Sequence, residues 1–292
     1  MKSKLLKNKG FTLIELITVI IVLGIVSVGL SSFIRTGLGI YTDAKEREQV
    51  LTESRFVVER LNREIRGAIP NSIRVATNSS NSIQCIEFVP AAWVSFYTTL
   101  PVLPDSASTM KTVEVANNPE NYTFSIGDFA VVYPTMDADD ADDNDFNDSA
   151  DVYDLSRNKR KAILSCDNGN GEACNISDGT EFTSEFTVSG AFADYSPASR
   201  VYFVNHAISY CAHSNGNIYR IQDTINPSQT IYNSGVLMAE NLKNDFNNAN
   251  ERPFTIYAAT LSRNSLVQLL LTFENNEEVI NYSNEVHIPN VP

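Results

Sequence analysis

One carboxylate, Glu15, lies inside an otherwise uncharged apolar run that extends from Phe11 to Ile34. An ionised carboxylate costs about 2.5–3.5 kcal/mol at the centre of a membrane helix, so such a residue indicates a function or a partner. At 1.5 Å per residue, a helix of this length crosses the roughly 30 Å hydrocarbon layer. The sequence therefore predicts a membrane-spanning helix whose single acid needs a counter-charge.

Lysines precede the apolar run and no comparable cationic cluster follows Arg35. This asymmetry places the N-terminus in the cytoplasm and the rest of the chain outside it, which in a bacterium is the periplasm. A cleaved signal peptide and a plain single-span anchor remain alternatives. The apolar core is longer than that of a signal peptide, however, and it lacks a clear small-residue cleavage site.

An acidic run between Asp137 and Asp154 contains nine aspartates and no cation. Four oxygen-bearing residues in it occupy the first, third, fifth and twelfth positions of an EF-hand-like loop. These candidate calcium ligands are Asp140, Asp142, Asn144 and Asp151. Asp145 replaces the glycine that such a loop needs at position six, and no helices are predicted beside it. Both a Ca²⁺ site and a solvated acidic loop stay open, and no other cofactor is expected.

Four cysteines permit two disulfides in the oxidising periplasm. Cys166 and Cys174 are predicted to close a short polar loop, and Cys85 and Cys211 to form the second pair. Two free core thiols at Cys85 and Cys211 are the alternative. A metal site is disfavoured, because no C-x-x-C spacing occurs.

Other candidate chemistry is weak. His206 and His213 flank Cys211, but in a strand His206 would face the opposite side from the other two. Ser156 and Lys159 match only a bare S-x-x-K pattern, and no phosphate-binding or nucleophile-elbow motif is present. The net charge of −13 makes nucleic acid a poor partner. No enzyme activity is expected.

Apolar residues recur every seven positions after Tyr41, which predicts that the helix continues to about residue 68, before Pro70. The stripe consists of Ala44, Leu51, Val58 and Ile65, with Leu61 and Ala68 beside it. An unbroken helix over 11–68 would be about 87 Å long.

After Pro70, residues typical of strands and turns dominate. The predicted strands are Ile83–Val89, Phe129–Tyr133, Phe182–Val188, Arg200–Tyr210, Ile218–Gln222, Phe254–Leu261, Leu266–Phe273 and Val279–His287. Residues 214–217 read Ser-Asn-Gly-Asn and predict a hairpin turn. The predicted fold class is α+β, with an antiparallel β-sheet head packed on the amphipathic half of the helix.

Residues 9–16, Lys-Gly-Phe-Thr-Leu-Ile-Glu-Leu, resemble the N-terminal motif of type IV prepilins and their pseudopilin relatives. The resemblance implies that prepilin peptidase cleaves between Gly10 and Phe11 and N-methylates Phe11. It also implies that Glu15 pairs with the new amine of a neighbouring subunit. The expected partners are other major and minor pilins, the peptidase and the inner-membrane assembly platform.

The resemblance divides the chain into a leader (1–10), a transmembrane half-helix (11–34), an amphipathic half-helix (35–69) and a periplasmic or extracellular head (70–292). Major pilins commonly have a proline about twenty residues into the mature helix, where this chain has Ser31 and Ser32. The large head, and the stretches 55–66 and 285–292, resemble minor pilins of the mannose-sensitive haemagglutinin (MSHA) pilus.

The expected function is a structural subunit in the initiation, assembly or tip of such a pilus, located in the inner membrane before assembly and on the cell surface afterwards. A J-type minor pseudopilin of type II secretion and a tip adhesin are the alternatives. For an adhesin, Trp93, Phe96 and Tyr97 could form a contact patch, although a core strand explains them equally well.

Overall fold

The computed structural model describes residues 12–113, 125–135, 152–167, 183–257, 265–275 and 278–288. One α-helix, a 3-10 helix at Leu155–Arg157 and fourteen antiparallel strands lie in these ranges, which confirms the predicted α+β class. The helix α1 is Leu13–Arg66. The strands are β1 Arg74–Thr77, β2 Ile83–Phe88, β3 Trp93–Thr99, β4 Thr109–Val113, β5 Phe129–Val132, β6 Arg160–Asp167, β7 Thr183–Val188, β8 Arg200–Val204, β9 Ala207–His213, β10 Ile218–Asp223, β11 Val236–Ala239, β12 Phe254–Tyr257, β13 Ser265–Asn275 and β14 Glu278–Ile288.

The helix is continuous, but the chain forms two compact units that divide within it, at Gln49 and Val50. The second unit contains the last part of α1 and all the strands. From Val50 onward, Val57, Val58, Leu61 and Ile65 are buried on one side of the helix. The helix ends after Arg66, and Pro70 follows it.

The predicted apolar stripe is correct for Val58, Leu61, Ile65 and Ala68, which are all buried. It is wrong for Ala44, which is exposed because it precedes the residues that form the head. Leu51 is only half-buried. The heptad spacing located the face of the helix, but it did not show where the sheets begin to cover that face.

The strands form three separate groups. A five-stranded sheet has the order β1-β2-β9-β10-β11, and a three-stranded sheet has the order β12-β13-β14. Buried residues of both sheets share one hydrophobic core with the last part of α1. The other six strands close into a barrel with the order β3-β4-β7-β6-β5-β8. The barrel interior is filled by its own aromatic and aliphatic side chains, including Phe186 and Phe203.

The segment that forms the barrel lies between β2 and β9 in the chain, although these two strands are direct neighbours in the five-stranded sheet. β2 and β9 pair over six positions, with Phe88 opposite Ile208, so the chain leaves and re-enters the sheet at one place. The predicted strand Arg200–Tyr210 is therefore wrong as a single element. It is divided into β8 in the barrel and β9 in the sheet, with Asn205 and His206 between them.

The remaining predicted strands correspond to β2, β5, β7, β10, β12, β13 and β14, although the last residues predicted for β12 lie outside the described ranges. The predicted hairpin turn is confirmed, with Gly216 at a φ of 97° between β9 and β10. Five strands were missed: β1, β3, β4, β6 and β11. Most are short or rich in polar residues, so their alternating pattern is weak.

Candidate assembly site on the N-terminal helix

Glu15 lies in the first turn of α1, and its side chain is exposed. The turn is held by the Leu16 amide, which donates to the Thr12 carbonyl at 3.3 Å. The Thr18 hydroxyl donates to the backbone carbonyl of Glu15 at 3.0 Å. A negative charge is favourable at this end of a helix, where the backbone N–H groups are unpaired. Gly10 and Phe11 lie outside the described residues.

The apolar side chains around Glu15 are exposed on all sides of the helix. Their exposed fractions run from 44% for Ile17 to 76% for Leu13 and Phe33. By its length and composition, the helix is long and apolar enough to cross a membrane. An apolar surface of this extent requires lipid or other protein to cover it.

Residues 5–31 match the family model described as the prokaryotic N-terminal methylation motif. The chain carries the signal of a type IV pilin-like prepilin. This signal implies processing by prepilin peptidase, assembly with other pilins and anchoring in a membrane, and it indicates a structural subunit rather than an enzyme. No curated protein matches the chain, and no solved structure does.

A polar cluster joins the end of α1 to the five-stranded sheet. Glu64 accepts hydrogen bonds from Arg60 at 2.9 Å, from Arg220 at 3.0 Å and from the Tyr210 hydroxyl at 2.9 Å. Burial raises the pKa of Glu64, but the hydrogen bonds from Arg220, Arg60 and Tyr210 outweigh it and hold the pKa below its usual value. Burial raises the pKa of Tyr210, which stays a neutral donor.

A second, buried cluster joins the five-stranded sheet to the segment that precedes β6 of the barrel. Arg74 of β1 donates to Glu87 of β2 at 2.9 and 2.6 Å, and its guanidinium lies 3.6 Å from the centre of the Tyr153 ring. Glu87 also accepts from Ser209 of β9 at 3.0 Å. Burial raises the pKa of Tyr153, and the nearby negative charge of Glu87 raises it further. Neither cluster was predicted from the sequence, because most of the members of each cluster are far apart along the chain.

The cysteines occupy structural positions. Cys85 and Cys211 lie opposite each other in β2 and β9 and form a disulfide, the pairing favoured by the sequence analysis. This bond joins the strand that precedes the barrel in the chain to the strand that follows it. Cys166 is also disulfide-bonded, and its predicted partner, Cys174, lies outside the described residues.

The candidate calcium ligands Asp140, Asp142, Asn144 and Asp151 all lie outside the described residues. Within the described ranges, no group of three or more histidine, cysteine or acidic side chains could hold a metal ion. The buried ring of His213 contacts the Tyr232 carbonyl at 3.1 Å, and its pKa is lowered by burial. His206 lies between β8 and β9 rather than within a strand.

The aromatic contact patch suggested for an adhesin is not formed. Trp93 and Tyr97 point into the barrel and are each 8% exposed, because residues alternate between the two faces of β3. Trp93 stacks on Phe203 in the barrel core, with 5.3 Å between ring centres. Only Phe96 of the three is exposed to solvent.

Proposed function

We propose that this chain is a minor pilin, resembling MshO of the MSHA pilus, that helps to initiate or cap a surface fibre. The observation that carries the proposal is the first part of α1, where a continuous apolar surface holds one acid in its first turn. The prepilin signal at residues 5–31 supports the same assignment.

The exposed apolar surface extends beyond what a bilayer covers. A membrane helix needs about 20 apolar residues, and Arg35 marks the end of the uncharged run. Beyond it, Leu38, Ile40 and Tyr41 are still 60–66% exposed. Lipid would cover the first part of the surface, and helices of other subunits would cover the rest.

Glu15 supplies specificity within that helix bundle. Inside lipid its charge is costly unless a cation approaches it. Peptidase cleavage before Phe11 would create such a cation, since it frees an amine at the start of the mature chain. One helical turn separates residue 11 from residue 15, so a small axial stagger between two helices brings the amine of one to the carboxylate of the other.

Charge and helix composition favour a minor subunit over a major one. Removal of the leader with its four lysines would leave 18 Lys and Arg residues against 35 Asp and Glu residues, and the resulting net charge of −17 makes close packing of many identical copies unfavourable. The helix also lacks the proline that is common in major pilins. A J-type minor pseudopilin of type II secretion would share these features, and it is the second candidate.

A deletion strain would separate these functions. For the proposed function, we expect loss of surface fibres and normal protein secretion, both restored by the full-length chain. Loss of secretion with normal fibres would instead identify a pseudopilin. Normal fibres with impaired adhesion would identify a tip adhesin.

Processing can be tested independently by N-terminal mass spectrometry of the membrane-bound chain. The wild-type chain is expected to begin at an N-methylated Phe11, whereas Gly10→Ala should retain the leader. Detection of a trimmed, methylated terminus in Gly10→Ala would contradict processing at this site.

A further inference from the structure

The strand β14 forms one edge of the three-stranded sheet. Its eleven residues pair with β13 in an unbroken register, from Ser265 opposite Ile288 to Asn275 opposite Glu278. Within the described ranges, no strand pairs with the other side of β14. Of its side chains, only Val286 and Ile288 are buried. The free side therefore presents backbone N–H and C=O groups that another strand can use.

β14 lacks most of the features that usually protect an edge from pairing. It contains no lysine, arginine or proline and has no bulge. The other open-sheet edges, β1, β11 and β12, each have four residues in the part of the chain that the structure describes. The outward face of β14 is largely polar, with Asn281, Ser283 and Glu285 exposed. Another strand would therefore bind through hydrogen bonds to the backbone of β14, and not through an apolar face of the sheet.

The charge at this edge indicates what would pair with it. β13 and β14 contain no lysine or arginine, and Glu285 is exposed on β14 away from the ends of the strand. Lys243 lies 3.5 Å from Glu274, at one end of the ribbon. Opposite charges on neighbouring strands stabilise their pairing, and like charges destabilise it. A basic strand fits this edge, whereas β14 of a second copy would bring its glutamates against the same charges.

We propose that β14 accepts an extended, basic strand from a different pilin subunit of the same assembly. The proposal rests on the proposed function, because one added strand with a polar outer face binds weakly by itself. A subunit already held through its helix is at an effective concentration in the millimolar range, which makes such pairing favourable. The edge also lies beside α1, since the Tyr282 hydroxyl is 3.0 Å from the Ser54 hydroxyl.

The test measures how much full-length chain is recovered with the other pilins in fibre or membrane-complex preparations from the deletion strain. Glu285→Lys places a cation on the exposed face of the edge and is expected to lower recovery at least tenfold. Glu285→Gln should give a smaller fall. Glu240→Lys makes the same charge change at an exposed position just after β11, and it should be recovered like the wild type.

Recovery of Glu285→Lys at the wild-type level would overturn the edge proposal while leaving the proposed function intact. Failure of the wild-type chain to enter any assembly would overturn both. An unchanged melting temperature of each variant would show that it is folded.

Hydrogen exchange gives a second readout that needs no substitution. Amides of residues 278–288 that do not bond to β13 should exchange at least tenfold more slowly in the assembled chain than in the free chain. Equal exchange in the two states would contradict the proposal.

The identity of the occupant can be tested by replacing Ser283 with a photoactivatable benzophenone amino acid, whose excited carbonyl inserts on irradiation into a C–H bond of the strand that lies against it. A cross-link to a different pilin, mapped to a lysine- or arginine-bearing strand, is expected. A cross-linked dimer of this chain alone would overturn the assignment to a different subunit.

Discussion

The first part of α1 is almost uncharged and the second part is amphipathic, and the apolar side chains of the two parts have opposite environments. In the first part, Leu23 is 58% exposed, and every large apolar side chain from Leu13 to Tyr41 is exposed. In the second part, Leu61 is fully buried in the core shared with two sheets. The second part is covered by its own head, whereas under the proposed function lipid and other subunits cover the first part. One helix thus serves both assembly and folding, and the two roles should be separable by mutation.

The largest expected effect is on assembly, from Glu15→Leu. Under the proposed function, the substitution would leave the amine of a neighbouring subunit as an uncompensated charge in lipid, which is expected to cost about 3–5 kcal/mol and to lower incorporation more than a hundredfold. Membrane insertion and the melting temperature of the head should not change. Co-purification with other pilins measures the effect, and Glu59→Leu, on an exposed face of the second part, is the control. Wild-type incorporation of Glu15→Leu would contradict the role of this carboxylate.

Two leucines, one in each part of α1, test whether the two parts contribute differently to the stability of the head. Leu61→Ala removes a fully buried side chain and should lower the free energy of unfolding of the head by about 2–5 kcal/mol. Leu23→Ala removes an exposed one and should change it by less than about 0.5 kcal/mol. Chemical denaturation followed by near-UV circular dichroism measures both. Equal changes in the free energy of unfolding would show that both parts of the helix contribute equally to the stability of the head.

Glu64 tests how α1 is held to the five-stranded sheet. Glu64→Gln weakens its hydrogen bonds with Arg220, Arg60 and Tyr210 and should destabilise the head by about 1–3 kcal/mol. Because the pKa of Glu64 is lower in the folded state, its contribution is present above the unfolded-state pKa. That contribution is lost as the pH falls through the folded-state pKa. Melting temperatures between pH 7 and pH 3 should therefore fall less steeply for Glu64→Gln, and parallel curves would contradict this.

The smallest expected effect concerns the acidic run and is confined to the head. If its aspartates bind Ca²⁺ with the affinity of extracellular sites, 1 mM Ca²⁺ should stabilise the head by about 1 kcal/mol. The rise in melting temperature should disappear in the double variant Asp140→Ala, Asp142→Ala. No rise in the wild-type protein would identify the run as a solvated loop.

The sequence predicted those parts of the fold that depend on near neighbours. The ends of α1 were predicted to within two residues, because apolar residues that recur with a period of 3.6 over such a length are a strong signal for a helix. The turn around Gly216 was predicted because its residue types suit a tight hairpin. The strand Arg200–Tyr210 was wrong because β8 and β9 are both apolar, and nothing in the local pattern marks the change from barrel to sheet.

The sequence by itself determined the long apolar segment of the helix, the single acid in that segment and the prepilin signal, since each depends on residues within one short stretch. Only the tertiary structure decided that the head has three groups of strands, that a barrel is inserted between β2 and β9, and that Glu64 binds Arg220. These features join residues more than a hundred positions apart, as the Cys85–Cys211 disulfide and the Glu64–Arg220 pair do. The physical reason is that such contacts depend on how strands pair, and a strand's own side-chain pattern shows which face it buries but not which strand lies beside it.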